Sequence, residues 1–314
     1  MTWWHVIILA IVQGMAELLP VSSSAHVIIA EKLMHMDPAA PEMTLLLVML
    51  HTGTMVAVIV YFWRRWQRAF FRTWDDFKTF AWALVVASAL TALIGGVIIE
   101  TIEKWYLRGQ PHAYVEVLFG RLDLIAGALA AVGLLILIAG LAEKRATNGQ
   151  PSSNTAEPMP RQYASTGGAA SSTATLAQAA EMTPRQYALI GAVQGLAVPF
   201  RGFSRSGATI STGMLTGVRK ALAEDFSFAL VIVLTPAAVA REAWRLIRVQ
   251  HIQHTAAFAT AIAPSIVGAV FAFVAGLLAL KWLSRWLEHG KWYIFGIYCL
   301  LFACAAAFLY HAGF

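Results

Sequence analysis

Long apolar runs separated by short charged breaks cover most of the chain. Residues 43–63, 79–99 and 113–142 each read as one membrane-crossing helix, because about 20 mainly apolar residues span the hydrocarbon core. The first closes on Arg64, Arg65, Arg68 and Arg72, and the third on Glu143-Lys144-Arg145. Residues 226–240, 256–283 and 292–312 read the same way, although the first of these is short and ends at Arg241. Two other runs do not fit a crossing. Residues 3–19 are apolar but carry Glu17 and stop at Pro20; residues 25–30 are apolar but too short, with Glu31 and Lys32 behind them. This pattern predicts a re-entrant helical hairpin over about 3–36, turning at Pro20-Val21-Ser22. Such a turn is tolerated at depth only where protein or a water-filled cavity surrounds it. A second hairpin is predicted over about 186–220, with Pro199 and the polar stretch Arg201–Thr209 at its turn.

The two halves share more than a plan. Val12-Gln13-Gly14-Met15-Ala16 matches Val193-Gln194-Gly195-Leu196-Ala197, and serine clusters follow both. Leu47-Val48 matches Leu230-Val231, Thr52 matches Thr235, and Val56-Ala57 matches Val239-Ala240. The expected organisation is a first repeat over 1–145 and a second over 186–314. Each holds one re-entrant hairpin and three transmembrane helices. A flexible cytoplasmic loop over 146–185 joins them, since 146–182 is rich in Ser, Thr, Ala, Gly, Pro and Gln. Three spans is an odd number, so the repeats point opposite ways. The fold class expected is an all-α integral membrane protein with an inverted-topology repeat, and such folds place their site near mid-membrane on broken helices.

Composition supports the membrane reading: 59% of residues are hydrophobic and only 13% charged, against about 25% charged in soluble domains. Residues 1–19 lack a basic start and a small-residue cleavage site, so they read as mature sequence rather than a signal peptide. Cys299 and Cys304 read as small buried apolar residues, with no disulfide framework or metal-thiolate spacing. With the N-terminus outside, the inner segments hold 14 Lys and Arg and the outer ones six, in line with the positive-inside rule. The Arg241–Arg248 cluster runs against that bias.

Candidate chemistry gathers at the two turns. Gln13 and Glu17, four apart, share one helical face. A carboxylate between apolar runs is costly and marks function by default. Of Ser22, Ser23 and Ser24, one is expected to cap the restarting helix, while the free N–H groups and hydroxyls there suit an anion. His26 is spaced to reach Ser22 or Ser23, the minimum nucleophile–base pair. In the second turn, Arg205 has a planar donor fork that suits phosphate. Its alternative role is pairing with an internal carboxylate such as Glu17, and the two coexist if the site is empty. Ser204, Ser206 and Thr209 add hydroxyls, Gly207 allows close backbone approach, and Arg201 lies in the site or at its rim. His51 and Asp123 read as satisfied polar groups at helix contacts, and Glu224-Asp225 as a charge pair at a helix N-terminus.

These motifs, Q-x-x-x-E at Gln13–Glu17, P-V-S-S-S-A-H at Pro20–His26 and G-F-S-R-S-G-A-T at Gly202–Thr209, resemble those of the bacterial undecaprenyl-diphosphatase (bacitracin-resistance) family. Ser211–Leu215 and Glu224–Phe228 extend the likeness. The resemblance implies a phosphatase of the cytoplasmic (inner) membrane. It would hydrolyse undecaprenyl diphosphate to undecaprenyl phosphate, recycling the carrier for peptidoglycan synthesis, from a site opening to the outer, periplasmic side. By resemblance, Glu17, Ser23, His26 and Arg205 are catalytic. Gln13, Ser22, Ser24, Ser204, Ser206, Gly207 and Thr209 are expected to bind substrate, and Arg201 with them. One departure stands out: the family usually has Pro-Gly before Phe-Ser-Arg-Ser, where this chain has Arg201-Gly202.

Two chemistries stay open at this point: Ser23 as nucleophile with His26 taking its proton, or water as nucleophile with Glu17 or His26 as base. The resemblance also favours a divalent cation, Mg or Ca, bridging Glu17 and the diphosphate, with no organic cofactor. Expected partners are the lipid substrate and the bilayer, with a homodimer left open and no nucleic acid. The rival reading is a transporter or flippase of a phosphorylated polyprenyl lipid, which inverted repeats and broken helices fit equally well.

Overall fold

The architecture is taken from a computed structural model, which describes residues 2–37, 40–70, 72–108, 115–148, 182–253, 257–287 and 291–313. The described residues are helical throughout, with no strand. At the first expected hairpin lie α1 (Trp3–Leu18) and α2 (Ser23–Leu33). Then come α3 (Pro41–Phe70), α4 (Trp74–Thr101) and α5 (Leu122–Asn148). At the second hairpin lie α6 (Pro184–Ala197) and α7 (Arg205–Leu215), followed by α8 (Lys220–Gln253), α9 (Ala257–Leu287) and α10 (Tyr293–His311).

Several boundaries differ from the sequence reading. The span expected from 113 starts as a helix only at Leu122, after a 3-10 turn over Val115–Leu118. At the other end α5 continues to Asn148, beyond the expected start of the loop, while residues 149–181 lie outside the described residues. The short span expected over 226–240 is the middle of a 34-residue helix, α8, so Glu224-Asp225 sits inside a helix rather than at its N-terminus. The buried Asp225 instead forms an ion pair with the half-buried Arg65 of α3, Nη2 to Oδ2 2.6 Å. Cys299 is buried as expected, whereas Cys304 is exposed; both are free.

Five helices, α3, α4, α5, α9 and α10, are long and apolar enough to cross a membrane. Each carries outward-facing large apolar side chains, among them Val60, Leu93, Ile138, Leu278 and Leu301. Water does not tolerate this much contiguous apolar surface, whereas lipid tails do, and the chain is a multi-pass membrane protein. Trp3, Trp4, Trp74 and Trp105 stand exposed near helix ends, where indole rings favour the membrane–water boundary.

Between helices, apolar burial from water contributes little in lipid, so close contact through small residues takes over. α1 packs on α9 and α6 packs on α4. At the first contact a Cβ on Gly14 would meet Ala275 Cβ at 2.6 Å; at the second a Cβ on Gly191 would meet Ala87 O at 2.3 Å. The Thr91 hydroxyl of α4 also donates to Gly191 O at 2.9 Å. Each hairpin thus leans on a long helix from the other half of the chain. α3 packs on α9, and α5 on α10.

Replacing Arg65 with Met would leave Asp225 buried without its cation, and breaking such a pair costs about 3 kcal/mol or more. Unfolding of detergent-solubilised R65M should show a loss of that order, with most of it regained on adding Asp225→Leu. A wild-type unfolding midpoint for R65M would contradict this.

Candidate active site

The two turns that interrupt the apolar pattern meet each other. In the first, Pro20 stops α1, and Ser22 takes a left-handed conformation, φ 67°, which costs a non-glycine residue about 1–2 kcal/mol. Ser22 occupies the N-cap position of α2, but its side chain does not cap the helix; its Oγ sits 3.3 Å from Ser24 Oγ. The expected serine cap appears in the second turn instead, where Ser204 Oγ accepts from Gly207 N at 3.2 Å. Gly202, at φ 102°, lets this turn reverse while lying against α5, where a Cβ would meet Ile125 O at 2.7 Å. Across the gap, Ser206 Oγ donates to Leu19 O at 3.2 Å, and Gly207 faces Pro20 O, which a Cβ would approach to 3.0 Å.

Glu17 lies where the turns join, its side chain 8% exposed. Its Oε1 accepts from Arg205 Nη2 at 2.5 Å. Its Oε2 accepts from Gln13 Nε2 at 2.9 Å and from the Ser23 hydroxyl. Four candidates named from sequence, Gln13, Glu17, Ser23 and Arg205, therefore form one hydrogen-bonded cluster drawn from both hairpins. A buried carboxylate with a guanidinium on one oxygen and two donors on the other has the partners that make its burial tolerable.

His26 is placed differently. Its Nδ1 donates to Ser22 O at 2.7 Å, and its Nε2 is 2.7 Å from Tyr298 Oη of α10. The ring stacks on Phe302, centroids 4.1 Å apart. With Nδ1–H committed to a carbonyl, the neutral ring accepts at Nε2, so Tyr298 is the donor. Tyr298 did not stand out in the sequence, because nothing near it signals chemistry and its partner is 272 positions away.

The histidine that approaches Glu17 is His51, with Nε2 3.7 Å from Oε2. Its Nδ1 is held by Leu47 O at 2.8 Å, one turn back along α3. The sequence reading assigned His51 to helix packing because it stands alone in an apolar span; only the docking of α3 beside α1 brings it to the carboxylate. Asp123 pairs with Arg121 rather than with the cluster. Thr209 is fully buried, its hydroxyl donating to Arg205 O at 2.8 Å and lying 2.6 Å from Ser227 Oγ. Arg201 lies over the Phe119 ring, Cζ 4.4 Å from the centroid.

A divalent cation at Glu17 would need the diphosphate for most of its ligands. Glu17 is the one carboxylate in the cluster and both its oxygens are engaged, and no group of three or more His, Cys, Asp or Glu suited to a metal occurs among the described residues.

The arrangement offers a hydroxyl whose proton already points at a carboxylate, a guanidinium on that carboxylate's other oxygen, and the first N–H groups of α7 beside them. Oxygen-rich anions with a group to transfer suit this combination.

Comparison with known proteins gives one answer throughout. The family model described as "Bacitracin resistance protein BacA" matches residues 6–305. A protein of Acinetobacter baylyi named "Undecaprenyl-diphosphatase 2" is 49% identical over 305 residues, 95% of each chain. Proteins of Burkholderia pseudomallei and Burkholderia thailandensis, named "Undecaprenyl-diphosphatase 1" and "Undecaprenyl-diphosphatase 2", are each 28% identical over 325 residues, 99% of each chain.

Removing the Tyr298 hydroxyl with Tyr298→Phe should free His26 Nε2 while leaving the Glu17 cluster intact. The imidazole 15N shifts of His26 in purified protein should move, and those of His51 should not. Unchanged His26 shifts would contradict the assigned hydrogen bond.

Proposed function

The chain belongs to the BacA family, and from that premise and the site geometry we propose how it acts as an undecaprenyl-diphosphatase. Hydrolysis of undecaprenyl diphosphate yields undecaprenyl phosphate and inorganic phosphate; the family name carries the link to bacitracin resistance. The observation that carries the mechanism is the Ser23 hydroxyl hydrogen-bonded to Glu17 while Arg205 holds the same carboxylate.

Ser23 Oγ attacks the terminal phosphorus and its proton passes to Glu17 Oε2. The bond from phosphorus to the bridging oxygen breaks, undecaprenyl phosphate leaves with the proton that Glu17 returns to that oxygen, and a phosphoserine remains. Water then attacks this phosphorus and gives a proton to the ionised Glu17, the bond to Ser23 Oγ breaks, and Glu17 returns that proton to Ser23 Oγ as inorganic phosphate is released. Arg205 turns from Glu17 to the terminal phosphate, where a planar fork and the α7 N-terminus stabilise charge as the phosphoryl group transfers. Gln13 keeps its hydrogen bond to Oε2 and so holds the carboxylate when the guanidinium leaves. His26, with both ring nitrogens engaged, fixes the start of α2 against α10 and so aims Ser23. A Mg or Ca ion would be held by Glu17 together with the diphosphate and would add charge neutralisation there, and no step is routed through it.

The membrane arrangement is part of the proposal. We infer two inverted repeats with the Glu17 cluster where their hairpins meet. Matched residues in the two halves, and the paired contacts of α1 on α9 and α6 on α4, support this reading. Basic residues favour 64–78 and 281–291 on the cytoplasmic side, which puts the N-terminus and the entrance to the site on the outer face of the inner membrane.

Phosphate release from undecaprenyl diphosphate by purified protein in detergent tests the reading; a pure transporter would release none. Ser23→Ala should reduce release to background, and substantial turnover by S23A would leave water as the nucleophile. Arg205→Lys keeps the charge but loses the fork, and the rate should fall by about 10²-fold. A near-normal R205K rate would remove Arg205 from the transition state.

A further inference from the structure

Hydrolysis of the phosphoserine asks for a group that the Ser23–Glu17 pair does not supply. In-line displacement puts the attacking water on the far side of phosphorus from Ser23 Oγ. That water has two protons. One goes to Glu17, and an acceptor for the other would fix which way the water oxygen faces. His26, three residues after Ser23, is turned away, with its nitrogens on Ser22 O and Tyr298. A group on another helix is better placed.

His51 of α3 is such a group, and it takes no part in the steps above. Its Nδ1 donates to Leu47 O at 2.8 Å, so the neutral ring carries its lone pair at Nε2. Nε2 lies 3.7 Å from Glu17 Oε2, beyond hydrogen-bond length. Two acceptors therefore face each other across a gap that neither closes alone. Water, which donates two protons, suits that gap: at this spacing one water oxygen reaches both atoms at ordinary hydrogen-bond length. Oε2 is also the oxygen that accepts from the Ser23 hydroxyl in the empty site. Once Ser23 is phosphorylated it has no proton to donate, and its place on Oε2 opens to water. The ring is held where this can happen, since Leu47 lies one turn back on the same helix and α3 packs against both α1 and α9.

Resting on the phosphoserine reading above, we propose that His51 is a catalytic residue of the second half-reaction, its Nε2 accepting a hydrogen bond from the attacking water and aiming it at the phosphorus. Glu17 takes the other proton, and His51 itself neither gains nor loses one. The bonds are those already given: water oxygen to phosphorus forms, phosphorus to Ser23 Oγ breaks, and the proton passes through Glu17 to Ser23. His51 is not needed to form the phosphoserine, because the Ser23 proton already points at Glu17. Its loss should therefore separate the two half-reactions.

The test mixes full-length protein in detergent with undecaprenyl diphosphate at a fixed magnesium concentration and follows both products. For His51→Leu we expect a burst of undecaprenyl phosphate, roughly one per protein, and then a steady rate about 10²-fold below wild type. Phosphate release should show no burst. Mass spectrometry of the quenched protein should find phosphate on Ser23 in H51L and little in wild type. The burst itself should run within about threefold of the same step in wild type. His51→Gln keeps an acceptor and should recover part of the steady rate. His51→Phe keeps the ring without its nitrogens and replaces H51L if the leucine protein is not monodisperse. A wild-type steady rate in H51L, or a slow one without phosphate on Ser23, would overturn the assignment. So would equal slowing of both half-reactions that added magnesium repairs, because His51 would then be serving a cation at Glu17. S23A, run alongside, separates these results from failure of the underlying reading: if it still turns over, the phosphoserine is lost and the His51 step with it.

Discussion

Everything at the centre of this protein depends on the ion pair between Glu17 and Arg205. Neither charge is tolerable alone in so apolar a chain, and each sits at a helix end beside a turn that breaks an apolar run. Pairing them makes both breaks affordable at once. It also fixes the distance between two hairpins that are 188 residues apart in sequence. Ser206 on Leu19 and the bare face of Gly207 against Pro20 bring the backbones close enough for that pair to form. A ligand that draws Arg205 from Glu17 must bring its own negative charge.

The long helices serve this arrangement rather than compete with it. In lipid there is little reward for hiding one apolar helix from another, so contacts form where backbones can approach. Gly14 of α1 against α9 and Gly191 of α6 against α4 provide that approach. Arg65 and the buried Asp225 tie α3 to α8 with a second ion pair. Because α3 is anchored this way, His51 stays beside Glu17 instead of turning toward lipid. Aromatic contacts do similar work for α10, where Tyr298 and Phe302 hold the ring of His26.

Much of this was legible from the order of residues alone. Apolar periodicity and charge placement were enough for an all-helical membrane protein, for hairpins at Pro20 and Pro199, and for Gln13, Glu17, Ser23 and Arg205 as members of one site. These follow from composition and local chemistry: a carboxylate or guanidinium between apolar runs needs a partner, and serine before a helix offers donors. Local reasoning failed where a residue's role depends on a neighbour far away in sequence. His51 looks like a lone histidine in an apolar helix, and Tyr298 like one more aromatic in a lipid-facing one. Asp225 resembles a helix-start charge until α8 proves to begin at Lys220. The serine cap also moved, because Ser22 adopts a left-handed conformation that turns its hydroxyl toward Ser24 and leaves the cap geometry to Ser204.

The sequence by itself determined which residues carry charge and hydroxyls, where helices must break, and that a membrane is the solvent. Only the tertiary structure decided which of them touch. Ser23 donates its hydrogen bond to Glu17 rather than to His26, because α2 turns Ser23 toward α1 while His26 projects onto α10. Side-chain direction on a short helix is set by a few degrees of turn geometry and by what packs across from it. Neither quantity is written in the residues of the helix itself.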